Sequence, residues 1–96
     1  MLLNGEEFNR KHPETLYKIT NENEIHHGMH YQDGLNIDVV KFSPISSCSK
    51  GGIYFTNKKY IHEYVSYGIY IREVEIPDDA HVYVEFGKFK TDRLIL

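Results

Sequence analysis

Tryptophan is absent from this 96-residue sequence, and cysteine occurs once, at Cys48. A single cysteine excludes a disulfide within the chain and is typical of a reducing compartment. Long runs of lysine and arginine are absent too, and the net charge is −3. Since non-specific nucleic-acid binding needs a cationic face, we do not expect a nucleic-acid partner. No apolar run is long enough to cross a bilayer and no signal-peptide pattern opens the chain, so we expect an intracellular protein without a membrane partner.

Tyrosine is the residue in excess, with eight copies beside five phenylalanines. A tyrosine side chain has an apolar ring and a polar hydroxyl, so a tyrosine-rich domain often presents an amphipathic contact surface. The alternative is that these rings only cover a thin sheet. The chain length predicts one domain over residues 1–96, with a loosely packed N-terminal arm at 1–15.

The pattern of apolar and polar residues predicts mainly strands. The predicted strands are 16–20, 53–56, 69–76 and 81–86, with a last edge strand at 94–96. Along 81–86, we expect Val82, Val84 and Phe86 to face inward. The dipeptide Asp33-Gly34 lies between two short apolar runs and predicts a hairpin of residues 29–31 with 35–37.

One main helix is predicted at about 58–66, between two of these strands. Thr56 or Asn57 suits its N-terminal cap, and Gly68 suits a left-handed residue at its end. Ile61, Tyr64 and Val65 would share its apolar face. The predicted fold class is therefore α+β, with this helix packed on a small bent antiparallel sheet of five to six short strands.

Three histidines, at positions 26, 27 and 30, form a local cluster. Histidine is a common zinc ligand, so His26 and His30 are candidate metal ligands. No second cysteine or neighbouring carboxylate completes a tetrahedral set, however, and a polar turn with solvent-exposed histidines is the simpler interpretation. The sequence therefore predicts no metal site.

The serine-rich segment 43–52 contains two further candidates. Cys48 has the chemistry of a nucleophile, although a lone cysteine is more often only a small side chain. The amides of Gly51 and Gly52 would suit an anion-binding nest, while a tight entry into the next strand is the alternative use of two glycines. The carboxylates of the later strands, Glu85 among them, suit acid–base work but also an ordinary solvated face.

Three stretches of the chain, residues 16–36, 47–56 and 67–77, carry a resemblance to a known family. Together they resemble the domain that precedes the repeats in mimivirus-type ankyrin proteins and in related short viral and phage proteins. The resemblance covers about residues 16–96. It implies a self-contained viral module that acts in the host-cell cytoplasm, and it implies no established activity.

The chain is also similar to the ADP-ribosyltransferase fold, over shorter motifs. The motif Leu-Tyr-Lys-Ile-Thr at 16–20 matches a first strand, and Gly-Ile-Tyr-Phe-Thr at 52–56 matches a strand that leads into a helix. This similarity implies that Tyr54 stacks on the nicotinamide of NAD and that Glu85 holds the ribose. Lys18 stands where these enzymes have a histidine that holds NAD, which is a departure from the pattern.

We therefore expect a non-catalytic binding module, without a cofactor, that engages a host protein or a small nucleotide-like ligand. The predicted ligand-binding residues are Tyr17, Lys18, Thr20, Ser49, Gly51, Gly52, Tyr54 and Tyr64. One alternative is a minimal ADP-ribosyltransferase-like enzyme that uses Lys18, Tyr54 and Glu85 around NAD. Another is a homodimer that pairs through the edge strand at 94–96.

Overall fold

The computed structural model describes residues 1–26, 29–38, 42 and 51–96. In these residues the chain forms ten strands, one α-helix and one 3₁₀ helix. The strands are β1 (Leu2–Asn4), β2 (Leu16–Thr20), β3 (Ile25–His26), β4 (Met29–His30), β5 (Leu35–Ile37), β6 (Ile53–Asn57), β7 (Tyr70–Val74), β8 (His81–Val84), β9 (Phe89–Thr91) and β10 (Arg93–Ile95). The α-helix is α1 (Gly5–Lys11), and the 3₁₀ helix is Ile61–Tyr67. Neither helix is long and apolar enough to span a lipid bilayer.

Six of the strands form one antiparallel sheet in the order β1-β8-β9-β6-β2-β7. Two smaller antiparallel pairs, β5 with β10 and β3 with β4, stand beside it. The strands predicted at 16–20 and 53–56 are confirmed as β2 and β6. The predicted fold class is wrong, because the described chain is mostly strand and the main helix predicted at about 58–66 does not form.

The segment predicted as the main helix is instead a turn at 58–60 followed by the 3₁₀ helix. A 3₁₀ helix has three residues per turn, so Ile61 and Tyr64 lie on the same side and are both half-buried. Val65 falls on the other side and is 55% exposed, contrary to its predicted place on the apolar face. The β-branched and aromatic residues of this segment favour an α-helix only weakly, which explains the tighter, shorter turn.

Gly68 ends this segment, but not for the predicted reason. Its φ is 179°, which is extended backbone rather than the left-handed conformation. A Cβ at this position would lie 2.1 Å from the carbonyl oxygen of Thr20. Glycine is needed there because the backbone passes directly against β2.

The predicted hairpin around Asp33-Gly34 does not form. Gly34 does adopt a turn conformation with φ of 91°, but β4 pairs with β3 and β5 pairs with β10. The amide of Gly34 donates to the carbonyl of Leu96 (2.9 Å), and the amide of Leu96 donates to the carbonyl of Gly34 (3.0 Å). β5 therefore pairs with β10, and not with residues 29–31 as the turn residues Asp33-Gly34 predict.

The edge strand predicted at 94–96 is not an edge. On one side β10 pairs with β5. On the other, Ile95 and Glu75 exchange two backbone hydrogen bonds of 2.9 and 2.8 Å. With both sides occupied, this strand offers no free backbone groups at Ile95 for pairing with a second copy.

The N-terminal residues, which the sequence predicts as a loosely packed arm, contribute a phenylalanine to the aromatic core. Phe8 of α1 is fully buried and meets Phe55 and Phe89 edge to face, with ring centroids 5.7 and 5.1 Å apart. Asn4 caps the helix through a reciprocal pair of hydrogen bonds with Glu7. α1 is thus held against the sheet by side chains from β6 and β9.

Phe86, which the alternation places inside, is 92% exposed. β8 ends at Val84, and the amide of Glu85 donates to the carbonyl of Lys88 (3.0 Å) to close a turn. The alternation of inward and outward residues stops where the strand stops. Val82, within β8, is fully buried as predicted.

Candidate functional site

A cavity of about 290 Å³ opens between β2 and β6. Its wall is strongly aromatic, with five tyrosines: Tyr17, Tyr31, Tyr54, Tyr64 and Tyr67. Two lysines, Lys18 and Lys88, and one carboxylate, Glu24, also contribute to it. Apolar walls with a few convergent polar groups are typical of small-molecule sites.

The cavity exists because the sheet splits at this point. Among the described residues β2 and β6 pair only at Leu16 with Asn57 and at Tyr17 with Thr56. From Lys18 onward β2 pairs with β7 alone, while β6 continues along β9. Residues on both sides of this split line the cavity.

Lys18 occupies the point where the two strands separate. Its Nζ donates to the carbonyl oxygen of Tyr54 (2.7 Å) and so crosses the gap between the strands. The same Nζ lies 4.9 Å from the centroid of the Tyr31 ring, within cation–π distance. The side chain of Lys18 therefore supplies to β6 a hydrogen bond that no backbone group of β2 makes.

Lys18 is only 5% exposed, which is rare for a lysine. Burial lowers the pKa of Lys18 from 10.5 to about 8, because the charged form loses its hydration. No carboxylate of the described residues forms an ion pair with it. Burial also raises the pKa of the neighbouring Tyr31, with a further contribution from the charge of Asp38, so the phenol stays neutral.

Glu24 is the carboxylate of the wall, and two neighbours hold it. The hydroxyl of Thr20 donates to its Oε2 (2.6 Å), and Nη1 of Arg72 donates to its Oε1 (2.8 Å). Arg72 also binds Asp33. The hydrogen bond from Thr20, followed by that from Arg72, keeps the pKa of Glu24 below its usual range against the opposing effect of burial. Glu24 is thus a fixed, ionised group.

Tyr64 and Tyr54 are also oriented by the protein. The hydroxyl of Tyr64 donates to the carbonyl of Gly87 (3.0 Å), and its ring stacks on that of Tyr67 with centroids 5.8 Å apart. The Tyr54 ring has the Nζ of Lys88 at 4.6 Å and that of Lys90 at 5.6 Å from its centroid. Contacts within the protein therefore fix the orientation of both rings.

The structure brings together five of the eight predicted ligand-binding residues. The five that line the cavity are Tyr17, Lys18, Thr20, Tyr54 and Tyr64. Gly51 and Gly52 are not part of its wall, and Ser49 and Cys48 lie outside the described residues. The amide of Gly52 donates to the carboxylate of Asp38 (2.7 Å). This amide, which was predicted to bind an anionic ligand, is therefore bound to a carboxylate of the protein itself.

The proposed catalytic candidates do not all meet. Lys18 and Tyr54 are in contact in the cavity wall, but Glu85 follows β8 and is not among the residues of that wall. His26 and His30 belong to the small pair of β3 and β4, and His27 lies outside the described residues. In the part of the chain that the structure describes, no three histidine, cysteine or carboxylate groups are placed to hold a metal.

Sequence reasoning did not identify Tyr31, Glu24 or Lys88 as site residues. They come from separate elements, and only the folded chain unites them. For Lys18 a local signal exists: it alternates with Leu16 and Thr20, and all three are buried on one side of β2. A lysine at an inward position of a strand indicates a buried charge.

Several mimivirus proteins are similar to this chain. "Putative ankyrin repeat protein R868" and "Uncharacterized protein R869" of Acanthamoeba polyphaga mimivirus are 49% and 48% identical to it over 65 residues, or 66% of its length. "Putative ankyrin repeat protein R838" is 43% identical over 77 residues, or 73% of its length. The matches span only 32%, 47% and 28% of these relatives. No protein-family model matches the chain, no solved structure is significantly similar to it, and these comparisons give no support to a similarity with ADP-ribosyltransferases.

Proposed function

The chain belongs to the family of mimivirus proteins that share this region, several of them named as ankyrin repeat proteins, and on that premise we propose that it is a viral binding module. Its ligand is a small nucleotide-like molecule, held in the tyrosine-lined cavity inside the host cell. The module binds this molecule and does not transform it.

The aromatic wall of the cavity is the observation that carries this proposal. Five tyrosines surround one cavity, and aromatic side chains stack on bases with about 1–3 kcal/mol per base. The volume of about 290 Å³ lies just below the usual range for ligand pockets, which is about 300–1,000 Å³. A mononucleotide or nucleoside suits it better than a dinucleotide such as NAD.

The polar groups of the wall support binding over catalysis. The Lys18 ammonium is held by Tyr54, the Glu24 carboxylate by Thr20 and Arg72, and each bond is between 2.6 and 2.8 Å. Groups that are already engaged in this way orient a ligand rather than exchange protons with it. The NAD-dependent alternative also lacks Glu85 in the wall, so no observation favours it.

Isothermal calorimetry and thermal shift with adenosine and AMP test the proposal. We expect binding to the wild-type protein and a loss of roughly tenfold or more in the variant Tyr17→Leu, because one stacking surface is removed. Tyr70→Leu is the matched control, since Tyr70 lies on β7 and is not among the wall residues. Absence of any binding by adenosine and AMP would contradict the proposed function.

A second candidate function, binding of a host protein, is favoured by the outer strand β7. This strand ends the main sheet among the described residues, and Ile69 and Ile71 are 69% and 59% exposed. Such an edge can accept an added strand from a partner. The names of the relatives give this candidate further support.

A pulldown from amoebal lysate compares the wild-type protein with Ile71→Lys. We expect the variant to lose partners that pair with β7, because a buried lysine opposes docking of an apolar strand. Leu2→Lys is the control, as Leu2 is 51% exposed on β1, at the opposite end of the main sheet from β7. Partners captured equally by all three proteins would argue against a role for β7.

A further inference from the structure

The charge of Lys18 is not neutralised by the described part of the protein. Its ammonium has three N–H donors, of which the carbonyl of Tyr54 accepts one, and the ring of Tyr31 faces it at 4.9 Å. No ion pair of the described residues includes it, although Lys18 is only 5% exposed. A buried charge is costly unless a counter-charge pairs with it.

Glu24, the carboxylate of the cavity wall, is bound by other residues. Arg72 stands opposite Lys18 in the register of β2 and β7, and it pairs with Glu24 and Asp33. The second oxygen of Glu24 accepts the hydroxyl of Thr20. Glu24 and Asp33 therefore pair with Arg72 and not with Lys18.

The wall of the cavity consequently differs in charge from the protein as a whole. The chain has a net charge of −3, yet the wall contains two lysines and one carboxylate. The second lysine, Lys88, lies over the ring of Tyr54, whose carbonyl binds Lys18. Aromatic surface and positive charge are thus presented side by side to anything that enters.

We propose that the ligand of this cavity carries an anionic phosphate oxygen, and that this oxygen pairs with the Nζ of Lys18. The inference rests on the proposed function, because it names the group that distinguishes the true ligand from an uncharged nucleoside. The flat part of the ligand lies on the tyrosine rings, and the phosphate supplies the acceptor that the protein itself does not.

Calorimetry with AMP and adenosine separates the two contributions. We expect the wild-type protein to bind AMP at least about tenfold more tightly than adenosine, since a charge-assisted hydrogen bond is formed only with the phosphate. Lys18→Met should reduce the ratio of the affinity for AMP to the affinity for adenosine to about one. Lys58→Met is the matched control: it removes the same charge from an exposed turn outside the wall and should keep the preference for AMP.

Each other result has a defined meaning. Equal affinities of the wild-type protein for AMP and adenosine overturn this inference and leave the proposed function intact, and this comparison needs no variant. A preference for AMP that survives in a folded Lys18→Met protein overturns it as well. If neither compound binds the wild-type protein, the proposed function fails, and the inference fails with it.

Discussion

The two strands beside β2 pair with it over different lengths. β7 pairs with all five of its residues, whereas β6 pairs with only Leu16 and Tyr17. On the first side the backbone groups satisfy one another, and on the second a lysine side chain reaches across to the Tyr54 carbonyl. The cavity forms because the pairing of β2 with β6 ends early, at Lys18, whose ammonium supplies a hydrogen bond to the Tyr54 carbonyl in place of a backbone group.

The first prediction concerns Leu16, at the end of β2 that pairs with both β6 and β7, and it is the largest in size. Leu16 is 4% exposed in the core, while Ile19 is half-buried beside the cavity. Leu16→Ala should lower the free energy of unfolding by about 2–5 kcal/mol because it opens a hole in packed core, and Ile19→Ala by clearly less. Urea denaturation of both variants measures the difference. Equal losses would show that the two ends of β2 are packed alike.

The second prediction concerns the lysine at the split. The pKa of Lys18 is about 8 in the folded protein and 10.5 when exposed, so the unfolded chain binds more protons between these two values. The penalty of burying the charge is complete below pH 8 and is relieved as the pH rises, so the free energy of unfolding should increase by up to about 3 kcal/mol towards pH 10.

Urea denaturation at several pH values between 7 and 10 measures this increase. Lys18→Met should lack it, because methionine does not titrate, and Lys58→Met should keep it. Measurements stop at pH 10 because Tyr31, whose pKa is raised by burial, acts in the opposite direction above that value. An identical pH profile for the wild-type and Lys18→Met proteins would contradict the burial of the charge.

The smallest predicted effect is at Thr20, the last residue of β2. Thr20→Val removes the hydroxyl that donates to Glu24 and should cost about 1 kcal/mol of stability. Because that hydrogen bond is the largest cause of the lowered pKa of Glu24, the pKa should rise in the variant. NMR titration of the Glu24 carboxylate follows the change. An unaltered titration would assign the low pKa to Arg72 instead.

Local patterns predicted β2 and β6 well, because alternation is a property of the strand itself. They did not predict which strands meet. Asp33-Gly34 indicates a hairpin by its chemistry, yet Gly34 pairs with Leu96, which lies far along the chain. The local pattern also failed to predict the 3₁₀ helix at Ile61–Tyr67, since its residues have no strong local preference for an α-helix. The cavity depends on where pairing ends, which is set by such distant contacts.

The guanidinium of Arg72 has a structural consequence. It joins Glu24 and Asp33, which bracket the β3–β4 pair, to the outermost strand of the sheet. Glu24 is also part of the cavity wall. Because Arg72 belongs to β7 and Glu24 to the cavity wall, a substitution that displaces either side chain also removes a hydrogen bond from the other.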